Sequence, residues 1–337
     1  MTGQPLVSVI IPNYNYGRTL PACIEAVQRQ TYPAIEIIVA DDRSTDDSVA
    51  IARRYGVTVL ETPENSGVSI ARNLGAEHAS GRILFFLDSD VALDPDAVAN
   101  AVAVLADDPG IGAICGMYRA EPLFPAGIVK EYRAIQQYVW FGEIEGRIPG
   151  LHSALCAMRV EVFREIGPFN HRLRWTEEQE YGFRLNTRYE VRATRRIRGR
   201  HDHDATVGVL LRKVFQRTRL GAPNWMRLNR LPGGAATGLR AVGSGFVLAA
   251  VLSLVAVPLL GRWALLATAA LLGVGILLDR QTYAYAYRTR GVLFGLRFTA
   301  IHLMVMFTSA LAAGLGILQG LLFPGWVRRL YGPEMTA

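Results

Sequence analysis

The sequence predicts an α/β fold with a largely parallel sheet, followed by a membrane region. Three observations predict it. Short apolar runs alternate with helical patterns up to about residue 200, polar clusters follow three of those runs, and nearly charge-free blocks dominate after Arg240. Runs that are apolar on both faces and separated by helices are typical of parallel sheets.

The individual elements follow from hydrophobic periodicity. Four apolar runs of strand length lie at 6–11, 35–40, 57–60 and 83–87. Between the first two, apolar residues at i, i+3, i+4 and i+7 predict a helix that begins near Leu20. Residues 110–170 are rich in glycine and proline and predict loops, with a helical pattern resuming at 158–166 and stopping at Gly167.

Composition and charge bound the class of protein. The 337 residues carry a net charge of +7, and between Arg184 and Arg240 fourteen Lys/Arg face three acids. This surplus precedes apolar blocks and so favours contact with anionic lipid. No aromatic-interleaved or zinc-knuckle pattern accompanies it, which speaks against nucleic acid. The pattern at 207–215 predicts an amphipathic basic helix, lying either in a membrane interface or on its own domain.

Cysteine usage and the N-terminal residues indicate the compartment. The three cysteines form neither a disulfide framework nor a CxxC motif, which favours a reducing compartment. Residues 1–12 have no basic segment or cleavage site of a signal peptide, and we expect Val7–Ile11 to form the first strand instead.

Three apolar blocks predict membrane-spanning helices at about 241–260, 262–279 and 298–323. The arginines of the loop 279–297 place that loop in the cytoplasm, together with the N-terminal domain. Arg328 and Arg329 would then end outside if the third block crosses once. Whether that block spans, re-enters or lies flat stays open at this point.

The polar clusters at the strand ends carry the chemistry. They are Pro12–Asn15, Asp41–Asp42 and Asp88–Asp90. Ligands bind at the carboxyl ends of strands in such sheets, and paired carboxylates there suit Mg²⁺ or Mn²⁺. A lone Asp-x-Asp is weak evidence for a metal, and Asp94 reads only as the N-cap of a helix with Pro95 at its first position.

Asp41 and Asp42 have two compatible interpretations. A carboxylate at this strand end can accept the N–H of a pyrimidine base. The structural alternative is a turn in which Ser44 or Asp46 caps a helix that starts at Val49.

The order of motifs resembles a known family. VSVIIPNYN, QTYPAIEIIVADDRSTDDS, PENSGVSIARNLGAEHASGRILFFLDSD and FREIGPFN…WTEEQEYGFRL are similar to family 2 glycosyltransferases with the GT-A fold, a Rossmann-like mixed sheet. The resemblance covers about residues 5–205. It implies inverting transfer from a nucleotide diphosphate sugar, UDP- or GDP-linked, assisted by Mg²⁺ or Mn²⁺.

The resemblance also assigns roles to single residues. The predicted nucleotide pocket consists of Pro12, Tyr14 against the base, Asn15, Asp42 hydrogen-bonded to the base with Asp41 beside it, and Arg72. Asp88 takes the ribose or metal-water position, and Asp90 that of the direct metal ligand. His201 or His203 is a candidate third metal or phosphate contact, and His152 a weaker candidate on the acceptor side.

The expected catalytic base departs from the family pattern. In the family an Asp activates the acceptor hydroxyl, and the matching position here is Glu178. The longer side chain leaves Glu177 open as the alternative. Gln216–Arg219 lacks the Trp of a GlnxxArgTrp motif, which favours addition of one sugar over polymer synthesis.

These inferences give one predicted organisation. Residues 1–205 form the catalytic domain, 206–240 a basic membrane-interface segment and 241–325 the transmembrane region of a multi-pass inner-membrane protein. The predicted acceptor is a hydroxyl of a lipid-linked or membrane-proximal glycan, and a homo-oligomer is left open. The alternatives are a polyprenyl-phosphate sugar synthase, an inactive binding module and a nucleotidyltransferase, which would need a phosphate loop where this chain has PNYNYG.

Overall fold

The structure, a computed structural model, describes residues 3–142, 144–173, 176–228, 235–323 and 325. The chain divides into two compact units: Met1–Phe124 with Gly142–Asp202, and Pro125–Phe141 with His203–Ala337. The segment Pro125–Phe141 thus groups with the C-terminal residues, although the sequence pattern assigned it to the first domain. Arg328 and Arg329 lie outside the described residues, as does part of the predicted interface segment.

The first unit contains nine strands and six helices within its described residues. The strands are β1 (Val7–Asn13), β2 (Ile35–Asp41), β3 (Thr58–Glu61), β4 (Ile83–Leu87), β5 (Val91–Leu93), β6 (Ile111–Tyr118), β7 (Gly146–Arg147), β8 (Leu155–Arg159) and β9 (Glu190–His201). The helices are α1 (Leu20–Gln28), α2 (Ser48–Arg54), α3 (Val68–His78), α4 (Ala97–Asp107), α6 (Val160–Ile166) and α7 (Glu177–Asn186), with α5 (Gly127–Phe141) belonging to the second unit.

The strands form one mixed sheet in the order β3-β2-β1-β4-β8-β6-β9-β5, with β7 paired to β9. Strands β1 to β4 run parallel, whereas β8 runs antiparallel between β4 and β6. The parallel half agrees with the sequence prediction, and the mixed remainder agrees with the GT-A resemblance. The carboxyl ends of β1 and β2 lie side by side because Asn13 pairs with Asp41.

Each central strand buries both faces, which explains its unbroken apolar run. In β1, Val7, Val9 and Ile11 belong to one hydrophobic cluster and Ile10 to the other. In β4 the same alternation separates Phe85 from Phe86. The side-chain period of two in a strand sends neighbours to opposite faces, so the sheet is covered on both sides.

Helix α3 packs unusually close to the sheet. A Cβ atom at Gly75 would overlap the side chain of Ile10 on β1. Glycine therefore permits the approach, and the first turns of α3, which include Arg72, lie against the carboxyl end of the sheet.

Three local expectations were wrong. Helix α4 begins at Ala97 with Asp96 as its N-cap, and Asp94 instead pairs with Arg119, Oδ2 to Nη2, at 2.6 Å. Helix α2 begins at Ser48 rather than Val49. Residues 158 and 159 end strand β8, because Met158 pairs with both neighbouring strands, and the helix starts only at Val160.

All regular elements of the second unit are helices within its described residues, including a 3-10 turn at Leu254–Ala256. Besides α5, its helices are α8 (Val207–Leu228), α9 (Ala235–Ser253), α10 (Val257–Leu260), α11 (Arg262–Leu278), α12 (Arg280–Arg290) and α13 (Val292–Leu322). Tyr132 and Ile135 of α5 share a buried cluster with Leu210 of α8 and with Phe298 and Val305 of α13.

Two stretches are long and apolar enough to cross a membrane: Thr237–Leu260 and Val292–Leu322. A third candidate is broken, because α11 and α12 meet at 77° around Asp279. Large apolar side chains such as Leu259, Trp263 and Leu266 are exposed along these helices. Such a surface indicates association with a membrane.

Candidate active site

The three polar strand ends meet at one edge of the sheet. Asn13 at the end of β1 donates from Nδ2 to Asp41 at the end of β2, at 2.7 Å. Strand β4 lies on the other side of β1 and runs directly into Asp88–Asp90. The carboxylates, amides and backbone groups of these ends therefore surround one place, where parallel α/β sheets bind ligands.

Asp41 and Asp42 both accept hydrogen bonds from neighbouring loops. The carboxylate of Asp41 is fully buried and accepts from Asn13 and from the backbone and hydroxyl of Ser44, at 2.7 and 2.6 Å. Asp42 accepts from the backbone of Ser66 at 2.8 Å and of Gly67 at 2.7 Å. Asp42 thereby holds the loop that precedes α3, whereas Asp41 closes its own turn.

The loop after β1 is shaped by Asn15. Its φ of 59° is left-handed, and its side-chain oxygen accepts from the backbone of Thr45 at 2.7 Å. Asparagine tolerates this conformation better than most residues. Tyr14, next to it, leaves 43% of its surface exposed. The loop is thus fixed to the end of β2 while an aromatic ring stays available, and the nucleotide roles of Pro12, Tyr14 and Asn15 stay predictions.

Arg72 is the centre of a cluster of carboxylates. It is 2% exposed, and its Nη2 lies 2.9 Å from Asp88 Oδ1 and 3.9 Å from Glu178 Oε1, while Nη1 lies 3.5 Å from Glu177 Oε1. Burial alone would lower the pKa of Arg72, but the charges of the three acids outweigh it and raise that pKa above its ordinary value. The sequence indicated a nucleotide contact, and the structure shows that Arg72 links Asp88 to α7.

The structure separates Glu177 from Glu178. The side chain of Glu177 is 10% exposed, whereas that of Glu178 is 30% exposed. Glu178 also accepts hydrogen bonds from the hydroxyl of Ser153 and from its backbone nitrogen, the latter at 3.1 Å. Glu178 is therefore the more open carboxylate, and its orientation is fixed by donors on two sides.

Ser153 holds this position because α7 rests directly on the loop before β8. A Cβ atom at Gly182, one turn after Glu178, would overlap the backbone nitrogen of Leu151. Only glycine allows the helix to come so near. The sequence pointed to His152 in this loop but not to its neighbour Ser153, since nothing distinguishes one buried serine from another before the fold is known.

Asp90 and His201 come together across β5 and β9. Val91 pairs with His201 in the ladder, and His201 Nε2 lies 3.4 Å from Asp90 Oδ1. The ring of Tyr118 packs against His201 and His152, with centroids 4.8 and 5.2 Å away. His203, the other candidate, is buried within the second unit.

The donor set near Asp90 suits a divalent cation that shares its ligands with a substrate. Within the described residues no three His, Cys, Asp or Glu side chains converge as a complete metal site. Asp90 and His201 offer one carboxylate and one imidazole, and Asp88 is already paired with Arg72. Mg²⁺ and Mn²⁺ are commonly held by one or two protein carboxylates and complete their shell with phosphate and water.

Residues at the start of α1 hold the loop Asp88–Asp90 in place by hydrogen bonds to its backbone. The hydroxyl of Thr19 donates to the carbonyl of Ser89 at 2.9 Å, and the Cys23 thiol to that of Asp88 at 3.6 Å. Burial raises the pKa of the Cys23 thiol well above its usual value, and the charges of Asp90 and Asp88 add to the rise. Cys23 is therefore a neutral packing group. The sequence did not indicate that Thr19 or Cys23 supports this loop.

Comparison with known proteins finds similarity to glycosyltransferases. The model described as glycosyl transferase family 2 matches residues 8–167. Glycosyltransferase AglE of Haloferax volcanii is 29% identical over 238 residues, which cover 66% of this chain and 75% of AglE. An uncharacterized glycosyltransferase of Haemophilus influenzae is 28% identical over 53% of this chain and 62% of its own length, so this chain spans less than two thirds of that relative.

A solved structure supports the fold. The mannosyltransferase PcManGT from Pyrobaculum calidifontis, in complex with GDP-Man and Mn²⁺, superposes with a TM-score of 0.55 at 18% identity, over 95% of this chain and 88% of that one. At this identity the likeness concerns the fold, which is GT-A. Residues 8–167 match the model of glycosyl transferase family 2, and the glycosyltransferase relatives agree with that match.

Proposed function

We propose that the protein transfers one sugar, with inversion, from a UDP- or GDP-linked donor to a hydroxyl of a lipid-linked or membrane-proximal glycan. One observation carries the proposal: the partly open carboxylate of Glu178 shares Arg72 with Asp88, two residues before Asp90. A base, a fixed cation and a candidate metal ligand thus lie around one place at the strand ends.

The nucleotide occupies the edge formed by the loops after β1 and β2. Tyr14 offers an exposed ring on which a base can stack, and the rigid turn around Asn15 supports it. Asp42, with Asp41 beside it, lies at the strand end where a carboxylate can accept the N–H of a pyrimidine. Asp42 also accepts the backbone amides of Ser66 and Gly67, so recognition of the base by Asp42 involves the loop before α3.

Asp90 and His201 would hold the divalent cation, Mg²⁺ or Mn²⁺. When bound, the cation neutralises charge on the departing nucleoside diphosphate. Asp90 is 8% exposed, and its backbone carbonyl accepts from Asp202 at 2.8 Å, so the carboxylate is carried on a fixed backbone. Asp88, held by Arg72, faces the ribose.

Glu178 accepts the proton of the acceptor hydroxyl as the oxygen attacks the anomeric carbon. Ser153 donates to its Oε1, and Arg72 Nη2 lies 3.9 Å from the same oxygen, so both fix its orientation. A single displacement inverts the anomeric centre, and no covalent enzyme intermediate is required. Glu177 is more buried and supports Arg72 instead.

The acceptor class follows from the second unit. Two long apolar helices and a broken third candidate indicate membrane association, and we place the catalytic domain on the cytoplasmic face of the inner membrane. Acceptors carried by lipids are concentrated at that surface.

The test is donor turnover by the purified full-length protein in detergent with Mn²⁺ and a membrane lipid extract. We expect one member of a nucleotide-sugar panel to stabilise the protein thermally, because a ligand of the folded state raises stability, and to release its nucleoside diphosphate. Asp90→Ala and Glu178→Gln should abolish release, and the exposed Glu161→Gln on α6 serves as the matched control. Wild-type turnover by both site variants would refute the proposed site.

A further inference from the structure

Helices α8 and α13 pack side by side over much of their length. Leu210 of α8 lies in the cluster that contains Phe298 and Val305 of α13. Further along, a Cβ atom at Gly316 of α13 would overlap the backbone of Arg219 on α8. The rise of an α-helix is about 1.5 Å per residue, so Leu210 and Arg219 are roughly 13 Å apart on α8, whereas Gly316 is roughly 16 Å from Val305 and roughly 27 Å from Phe298 on α13. The two helices therefore run in the same direction, side by side.

A polar contact joins α8 and α13 near their C-terminal ends. Arg219 donates from Nη2 and Nε to Gln319 Oε1, at 2.6 and 3.0 Å. Gln319 is one of the few polar side chains in the long helix α13, and its partner comes from α8. The depth of this part of α13 in a membrane is thus tied to the depth of α8.

Helix α8 cannot lie across the hydrocarbon region. Its segment between Leu210 and Arg219 also carries Arg212, Lys213 and Arg217, with Arg212 and Arg217 exposed. Lys213 pairs with Asp204, with Nζ 2.6 Å from Oδ1. Four cations within eight residues are costly inside a bilayer but favourable among anionic headgroups. This helix is accordingly not among the membrane-span candidates of the described residues.

The exposed surface of α13 has the form expected for a helix that lies flat. Met304, Leu311, Leu315 and Leu318 are exposed and follow one another at helical spacing. The opposite face is buried, including Gly295, His302 and Gly320. One apolar stripe opposite a protein-covered face suits a helix embedded at the level of the headgroups.

The apolar hairpin from α9 to α11 enters and leaves at a single end. Arg240, near the start of α9, contacts Asp279, just after α11, with Nε 3.2 Å from Oδ1. The turn between the two arms is at Gly261, whose φ is +52°. The two arms of this hairpin therefore cross the membrane twice and return the chain to the side on which it entered.

We propose that α13 does not cross the membrane. Helices α8 and α13 lie together in the headgroup region of one leaflet, with Arg212, Lys213 and Arg217 near anionic lipid, and the α9–α11 hairpin supplies the crossings of the described residues. The C-terminal end then returns to the face that carries α8. This inference rests on the membrane association in the proposed function, and it removes the conflict over Arg328 and Arg329.

Depth measurements test the orientation of α13. Single cysteines at Leu311, Leu315 and Leu318 of the full-length protein, carrying a fluorophore in vesicles with anionic lipid, should be quenched equally by spin labels at one depth. A crossing helix would spread Leu311 and Leu318 over about 10 Å, at 1.5 Å per residue. A graded quenching profile would overturn the proposal. The native Cys23, Cys115 and Cys156 are buried, and the unsubstituted protein is the labelling control.

Sidedness provides a second test. A reporter cysteine after Ala337 should react with an impermeant maleimide from the same side as Arg212→Cys and from the side opposite to Gly261→Cys. Reaction of the C-terminal reporter from the Gly261 side would refute the proposal. Labelling of all three from both sides in a soluble fraction would refute membrane association itself, and donor turnover in the same samples shows separately whether the proposed reaction holds.

Discussion

Each unit of the molecule contains a buried ionic cluster, and the two differ in how far their groups are satisfied. In the first unit Arg72 is enclosed, but the side chains of Asp88 and Glu178 stay 31% and 30% exposed. In the second unit Asp279 and His302 are 2% and 0% exposed. The first cluster faces outward with acceptor capacity for a ligand, whereas the second is closed.

The closed cluster joins four parts of the helical unit. Asp279 accepts from His302 and Trp140, both at 3.0 Å, from Thr282 at 2.6 Å and from Arg240 at 3.2 Å. Tyr132 of α5 lies 2.9 Å from the other ring nitrogen of His302. These contacts hold the break between α11 and α12 against α5, α9 and α13.

The difference shows that residue type alone does not distinguish a ligand-binding site from a cluster that only stabilises the fold. Both clusters contain buried acid and arginine, and the closed one also contains the histidine that often signals chemistry. Saturation separates them: a carboxylate that already accepts four donors has no capacity for a substrate, whereas a partly exposed one does. The following predictions test this distinction.

The largest effect should come from the open cluster. Glu178→Gln removes the proposed base but keeps the Ser153 hydrogen bond, and we expect kcat to fall by about 10³ because general-base catalysis commonly contributes 10²–10⁴. Donor-induced thermal stabilisation should persist. Glu177→Gln is the matched variant, with a smaller loss of kcat. The reverse ranking would transfer the role of base to Glu177.

Arg72→Met should destabilise the first unit by about 3 kcal/mol, because removing one partner of a buried ion pair leaves uncompensated charge. In this variant three acids lose their shared cation. Chemical unfolding followed by tryptophan fluorescence would measure it, and Arg72→Lys should restore part of the loss. An Arg72→Met protein of wild-type stability would show that the ion pairs of Arg72 do not stabilise the first unit.

Asp279→Asn should cost about 2 kcal/mol of stability, since a buried network loses its charge and one of its acceptors. The melting temperature of the detergent-solubilised protein should fall while KM for the donor stays unchanged. Thr289→Ala, an exposed change on α12, is the control. A changed KM without loss of stability would mean that the closed cluster has a functional role after all.

The smallest effect should come from the hydrogen bond between Thr19 and the loop Asp88–Asp90. Thr19→Val removes one buried hydrogen bond to the Ser89 carbonyl and should destabilise by about 1 kcal/mol. Because that bond fixes Asp88–Asp90, the Mn²⁺ concentration needed for half-maximal activity should rise. Thr19→Ser should be close to wild type. An unchanged Mn²⁺ requirement would show that this hydrogen bond does not affect metal binding.

The sequence predicted the central strands well because their apolar runs are unbroken and bounded by polar residues. Strand β4 begins and ends where its run does, at Ile83 and Leu87. The start of α4 was misplaced because Asp94 and Asp96 are equally good caps locally, and a distant partner, Arg119, takes the first of them. Pairing between distant segments was therefore the missing information.

The same limit applies to the site. The aspartates could be found because they lie at strand ends, and Glu177 and Glu178 could be found through the family motif. Their mutual arrangement could not, because Arg72 reaches Glu177 and Glu178 only through the approach of α3 that Gly75 permits. The unequal exposure of Glu177 and Glu178 likewise depends on how α7 is rotated against the sheet, and adjacent positions in a sequence carry no record of that rotation.

The backbone contact between Gly182 and Leu151 has a consequence for engineering. Since α7 lies directly on the loop that contains Ser153, the base and its donor move as one rigid piece. Segments upstream of Gly150 can be exchanged between relatives without changing this contact, whereas exchanges that divide 150–182 would separate Glu178 from Ser153. Chimeras of this family should therefore be joined before Gly150 and not within that piece.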